Sequence, residues 1–140
     1  MNGPTIQPPS DPAAPRKRRL LLVEDEPAQW MFFLEVLQPQ YDVELATTGT
    51  RAWELAQLQT PDLVLADVLL PGMDGFTLAR RLRDYQPTAA VPILLLSAST
   101  KIELLVRGLQ AGAYDVLLKP VPVKKLLEVL EARFAQRADR

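Results

Sequence analysis

Three carboxylates, a hydroxyl and an ammonium stand at the ends of short apolar runs in this chain. Glu24 and Asp25 follow Leu20–Val23, Asp67 follows Leu63–Ala66, Ser97 follows Ile93–Leu96, and Lys119 follows Val116–Leu118. Carboxylates brought together repel, and a hard divalent cation is the usual remedy; Mg²⁺ takes a few carboxylate oxygens and keeps several waters. The ammonium and the hydroxyl complete a pocket able to hold a dianionic group. A carboxylate beside Mg²⁺ and a cation can act as the nucleophile in phosphoryl transfer and form an aspartyl phosphate. The remaining chemistry is positioning and charge neutralisation. Taken singly, each of these residues has a plainer explanation, because strand ends leave the core and are often polar. Their convergence on one sheet edge is what points to a site.

Composition narrows the chemistry further. The chain has 140 residues, no cysteine and no histidine. Disulfides, thiolate metal sites, imidazole bases and a phosphohistidine within the chain are therefore excluded. The net charge of -1 offers no general pull on nucleic acid or anionic membrane. No apolar run approaches the length of a membrane span and no apolar signal region follows the N-terminus, so a cytoplasmic protein is expected.

The elements that must position these groups can be read from hydrophobic periodicity. Residues 1–18, with Pro4, Pro8, Pro9, Pro12 and Pro15, bury too little to offset ordering entropy and are expected to form a disordered arm. The arm runs into the basic stretch Arg16–Arg19, read as a solvated flank that protects the next strand, with docking to an acidic partner as the alternative. A single domain is expected over residues 19–138. Leu20–Val23, Val43–Ala46, Leu63–Ala66, Ile93–Leu96 and Val116–Leu118 read as strands. Between and after them, helical spacing links Trp30, Phe33, Leu34 and Leu37, then Ala52, Leu55 and Ala56, then Phe76, Ala79 and Leu82. Leu105 and Leu109 mark a fourth helix closed by Gly112, and Leu126, Leu127, Leu130 and Phe134 mark a fifth. Alternating strands and helices give an α/β fold, a doubly wound parallel sheet with helices on both faces and a ligand crevice at the carboxyl ends of its strands.

From Arg19 to the C-terminal helix the sequence resembles the receiver domain of two-component response regulators. The matching segments are LLLVEDEP (Leu20–Pro27), PDLVLADVLLPGMDG (Pro61–Gly75), VPILLLSA (Val91–Ala98) and GAYDVLLKP (Gly112–Pro120). The resemblance implies a flavodoxin-like, CheY-like sheet of order 2-1-3-4-5 with five helices. It implies Asp67 as phosphoacceptor and Asp25 as a direct Mg²⁺ ligand, with Glu24 acting through bound water and Leu69 lending its backbone carbonyl; Mn²⁺ would substitute. Lys119 would pair with the phosphoryl group, and Ser97 would hydrogen-bond it and draw the following loop inward. A cis Lys119–Pro120 bond is implied too, while Pro71, Gly72 and Gly75 read as structural turn residues.

The implied partners are a sensor histidine kinase or phosphotransfer protein, and a downstream protein bound through the face of the fourth helix, fifth strand and fifth helix. Lys101, Glu103, Arg107, Asp115 and Lys124 are candidates to decorate that face. The chain ends with its fifth helix, so a stand-alone receiver is expected, with no direct DNA binding, no membrane insertion and no turnover of external substrates. One position departs from the family. Val116 stands where an aromatic ring usually precedes the lysine by three residues, and the neighbouring aromatic is Tyr114. The usual aromatic readout is then lost, leaving the change to the fourth helix or to a smaller difference between states.

Two rival readings follow. A pseudo-receiver would bind partners constitutively, supported by Val116 alone. A phosphatase of the haloacid dehalogenase type needs an acid two residues after its nucleophile, where Leu69 stands here.

Overall fold

The computed structural model describes residues 16–138; the expected arm lies outside the described residues as far as residue 15. The described chain alternates strand and helix. In order these are β1 (Arg18–Val23), α1 (Pro27–Leu37), β2 (Tyr41–Ala46), α2 (Gly49–Leu58), β3 (Leu63–Asp67) and α3 (Gly75–Asp84). A one-turn 3₁₀ segment (Gln86–Thr88) precedes β4 (Ile93–Ser97), α4 (Ile102–Gln110), β5 (Asp115–Leu118) and α5 (Val123–Ala138). The five strands form one parallel sheet in the order β2-β1-β3-β4-β5, the doubly wound CheY-like arrangement. Among the described residues no helix is long and apolar enough to cross a membrane.

The continuous apolar runs are explained by two-sided burial. Side chains alternate faces along a strand, so Leu21, Val23, Val64, Ala66, Ile93 and Leu95 pack with α2 and α3 through Ala52, Leu78 and Leu82. Leu20, Leu22, Leu63, Leu65, Leu94 and Leu96 face the other way, onto Phe33 and Leu37 of α1 and Leu126, Leu130 and Phe134 of α5. Helix starts are capped by short polar side chains. Thr48 accepts from the Arg51 N–H at 3.0 Å and Asp74 from the Thr77 N–H at 2.8 Å, satisfying donors that helices leave open.

Strand register sets the site. Val23 lies opposite both Ala46 and Ala66, Asp67 opposite Leu96, and Ser97 opposite Leu118. Glu24, Asp67, Ser97 and Lys119 therefore leave the sheet at nearly one level.

Some details depart from the periodicity. β1 and β2 begin two residues before their apolar runs. Arg18 lies over the Phe134 ring at 5.4 Å, Arg19 pairs with Glu44 at 3.2 Å, and Tyr41 stacks on Phe134 at 5.5 Å. The 3₁₀ turn was not expected; it is anchored by the buried Thr88 hydroxyl, which donates to the Leu82 carbonyl at 2.6 Å. In α4 the face meeting the domain is carried by Leu104 and Gly108, continued by Ala111 at the C-cap, while Leu109 is 54% exposed.

Candidate functional site

The ends of β1 and β3 are joined by one ammonium. Glu24 is completely buried. Its Oε1 accepts from Lys119 Nζ at 3.3 Å, and its Oε2 from the Glu26 N–H at 3.2 Å. Asp67 uses both oxygens as well. Oδ2 accepts a hydrogen bond from Lys119 Nζ, and Oδ1 accepts from the Leu69 N–H at 3.1 Å. Backbone pairing aims the lysine: its N–H donates to the Ser97 carbonyl at 2.8 Å, at the end of β5. The Lys119–Pro120 bond is cis.

Burial and crowding shape the charges here. Loss of solvent raises the Glu24 carboxyl above its ordinary 4.5, and the neighbouring Asp67 charge raises it further, against smaller lowering by the Glu26 N–H and Lys119. For Lys119, burial pulls its value down, yet the hydrogen bonds and charges of Asp67 and Glu24 outweigh that and raise it. The ammonium is thus the stable form.

Ser97 is buried and engaged with its own loop. Its hydroxyl accepts from the Ser99 N–H at 3.1 Å and donates to the Ser99 carbonyl at 3.2 Å. Asp25 sits exposed at the rim of the same cavity, together with Leu69. Gly75 is required by close approach: a Cβ there would lie 2.5 Å from the Asp67 carbonyl oxygen. Gly72, at φ 75, turns the chain between Asp67 and α3.

Among the described residues no three acidic side chains converge as a metal cage. Glu24 and Asp67 are bridged instead by the Lys119 ammonium. The donor set still suits Mg²⁺. It is all oxygen, and five carboxylates (Glu24, Asp25, Glu26, Asp67 and Asp74) share a cavity with the two cations Lys119 and Arg107, leaving negative charge for a hard dication to neutralise.

That cavity, of about 560 Å³, also holds a residue assigned above to the outer face. Arg107 of α4 lines it, with its guanidinium carbon 4.5 Å from the centre of the Phe76 ring. Its spacing of three from Leu104 was the available signal, since residues i and i+3 share a helix face. At the departure position, Val116 is half-buried beneath Gly108, and a Cβ on that glycine would lie 2.6 Å from Val116 Cγ2. Helix backbone therefore covers Val116 directly. Tyr114 precedes β5, is 41% exposed and lies beneath the Arg133 guanidinium at 4.6 Å, away from the cavity lining.

Comparison with known proteins agrees with this geometry. The family profile described as the response regulator receiver domain matches residues 20–131. The DNA-binding dual master transcriptional regulator RpaA of Synechocystis sp. is 37% identical over 123 residues, covering 87% of this chain and 51% of that protein. This chain thus spans about half the length of that curated relative. The chemotaxis response regulator CheY4 of Vibrio cholerae superposes with a TM-score of 0.79 at 30% identity, covering 84% of this chain and 98% of that one. The receiver domain of sensor histidine kinase PA1611 from Pseudomonas aeruginosa, with a magnesium ion coordinated in its active-site cleft, gives 0.78 at 32% identity, with coverages of 84% and 97%.

Proposed function

The chain belongs to the response regulator receiver domain family of two-component systems, and from that premise we propose that Asp67 is its phosphoacceptor. The observation that carries the proposal is the environment of this one carboxylate. Asp67 is buried at the end of β3, holds Lys119 on one oxygen, and opens with Glu24, Asp25 and Ser97 onto a common cavity.

In this reading an Asp67 carboxylate oxygen attacks the phosphorus of a phosphohistidine carried by a sensor kinase or phosphotransfer protein. The O–P bond forms as the N–P bond breaks, and the electron pair returns to the imidazole, which takes a proton from water. Attack by water later releases inorganic phosphate and regenerates the carboxylate. Lys119 neutralises charge on the phosphoryl oxygens, and Ser97 exchanges its Ser99 contacts for one of them. Glu24, Asp25, Asp67 and the Leu69 carbonyl would hold Mg²⁺, which when bound supplies further neutralisation of the transferring group. The readout is altered affinity for a downstream protein through α4, β5 and α5, with the domain acting as a signal acceptor and not as a turnover enzyme. The small net charge supports a protein partner over DNA for this domain.

The test is intact-mass spectrometry after incubation with a small phosphodonor, with and without Mg²⁺, beside Asp67→Asn. The expected result is a single Mg²⁺-dependent phosphoryl addition that the variant lacks. An unmodified wild-type protein would instead favour the constitutive binding module.

A further inference from the structure

The cavity around Asp67 contains two cations, and the scheme above uses only one. Lys119 is already committed, since its ammonium serves both Glu24 and Asp67. Arg107 is different. No ion pair to it is formed among the described residues; its contact there is the face of Phe76. Arg107 nevertheless lines the same cavity as Asp67 and Ser97, its guanidinium resting on Phe76, which lines that cavity too. A plainer explanation is a surface arginine whose stem shields an aromatic ring while its head stays in water. That explanation accounts for the contact with Phe76 but not for the placement of a cation on the wall of an acidic cavity.

We propose that Arg107 is a second cation for the phosphoryl group, leaving the Phe76 ring for a phosphoryl oxygen when Asp67 is modified. The proposal rests on Asp67 as phosphoacceptor. Phosphorylation replaces a carboxylate by a group with about two negative charges and three strong acceptor oxygens. A guanidinium presents a planar fork of donors suited to such oxygens, and a charge-assisted hydrogen bond of this kind outweighs a solvent-exposed cation–π contact.

The placement of Arg107 gives the contact a consequence. It is one residue from Gly108, where α4 rests on Val116, and three from Leu104, which also lines the cavity. A pull on Arg107 is therefore a pull on the face of α4 that meets the sheet. At Val116 no ring is present to report the modification, and helix backbone fills the space above it. Arg107 supplies the link from the phosphoryl group to α4 through the helix's own side chain.

The probe is beryllofluoride with Mg²⁺, whose fluorines stand in for phosphoryl oxygens on Asp67, added to the full chain and to Arg107→Gln and Arg107→Lys. In wild type, the side-chain Nε–H resonance of Arg107 should shift and become protected from solvent exchange. Arg107→Gln should need roughly tenfold more beryllofluoride for half-saturation, the loss of one charge-assisted hydrogen bond. Arg107→Lys should recover part of that loss, as a point charge without the fork. Amide exchange in α4 should slow on adduct formation in wild type and not in Arg107→Gln. An adduct that forms equally well in Arg107→Gln, or that leaves the Arg107 resonance unmoved, overturns the proposal. A wild-type protein that takes up no beryllofluoride overturns the phosphoacceptor reading, and this one with it.

Discussion

Replacing Gly108 by alanine tests how closely α4 is held against β5. The added methyl would lie 2.6 Å from Val116 Cγ2, 3.4 Å from Leu95 Cδ1 and 3.6 Å from Phe76 Cε1. Carbon atoms settle at about 3.5–4.0 Å, so the Val116 contact is the main clash, short by about 1 Å. Valine is stiff at χ1, so either the side chain leaves its rotamer or the helix lifts. Overpacking of this kind costs about 1–3 kcal/mol, and alanine in a helix interior returns about 1 kcal/mol over glycine. The net expectation is a loss of about 1 kcal/mol. Val116→Ala alone removes partly buried methyls and should also cost about 1 kcal/mol. In the double variant the new methyl occupies the space that the valine vacates. Its loss should therefore be smaller than the sum of the two single losses by about 1–2 kcal/mol, the range for residues in contact. Urea unfolding of all four proteins, with unchanged m-values, measures the cycle. Additivity to within about 0.5 kcal/mol would show that Gly108 and Val116 do not share one contact.

Two further outcomes concern the charged groups. Because Glu24 is raised above 4.5 by burial and by Asp67, the native state holds that proton more tightly than the unfolded chain. Its contribution to stability is therefore full below pH 4.5 and falls as the pH rises through the folded value. In metal-free buffer the melting temperature of Glu24→Gln should gain on wild type between about pH 4 and pH 7, and a constant gap would refute the assignment. Lys119→Met should lose about 2 kcal/mol, less than a broken buried pair usually costs, because Glu24 can take up a proton. This variant should still bind Mg²⁺ by calorimetry, yet show none of the slowing of α4 amide exchange on adduct formation; full switching would remove Lys119 from the coupling.

Much of the fold was legible because a parallel sheet buried on both faces leaves continuous apolar runs, as at Leu63–Ala66 and Ile93–Leu96. Such runs also locate the strand ends, and hence the row of Glu24, Asp67, Ser97 and Lys119. The early starts of β1 and β2 were not legible, since Arg18 and Tyr41 join the sheet through contacts with Phe134, more than ninety residues away in the chain. The fourth helix was legible from Leu105 and Leu109, but which of its faces meets the sheet was not. A glycine carries no periodic signal, and Gly108 is where the helix packs directly against Val116 of the sheet.

What the sequence alone determined, then, was the set of groups at the sheet edge, because strand period and residue type are local properties. Which of them meet was decided by tertiary structure. Register brought Lys119 between Glu24 and Asp67, left Ser97 bonded to Ser99, and kept Asp25 at the rim. Arg107 came to the cavity wall because α4 lies down on Val116, a consequence of packing between two elements that neither encodes by itself.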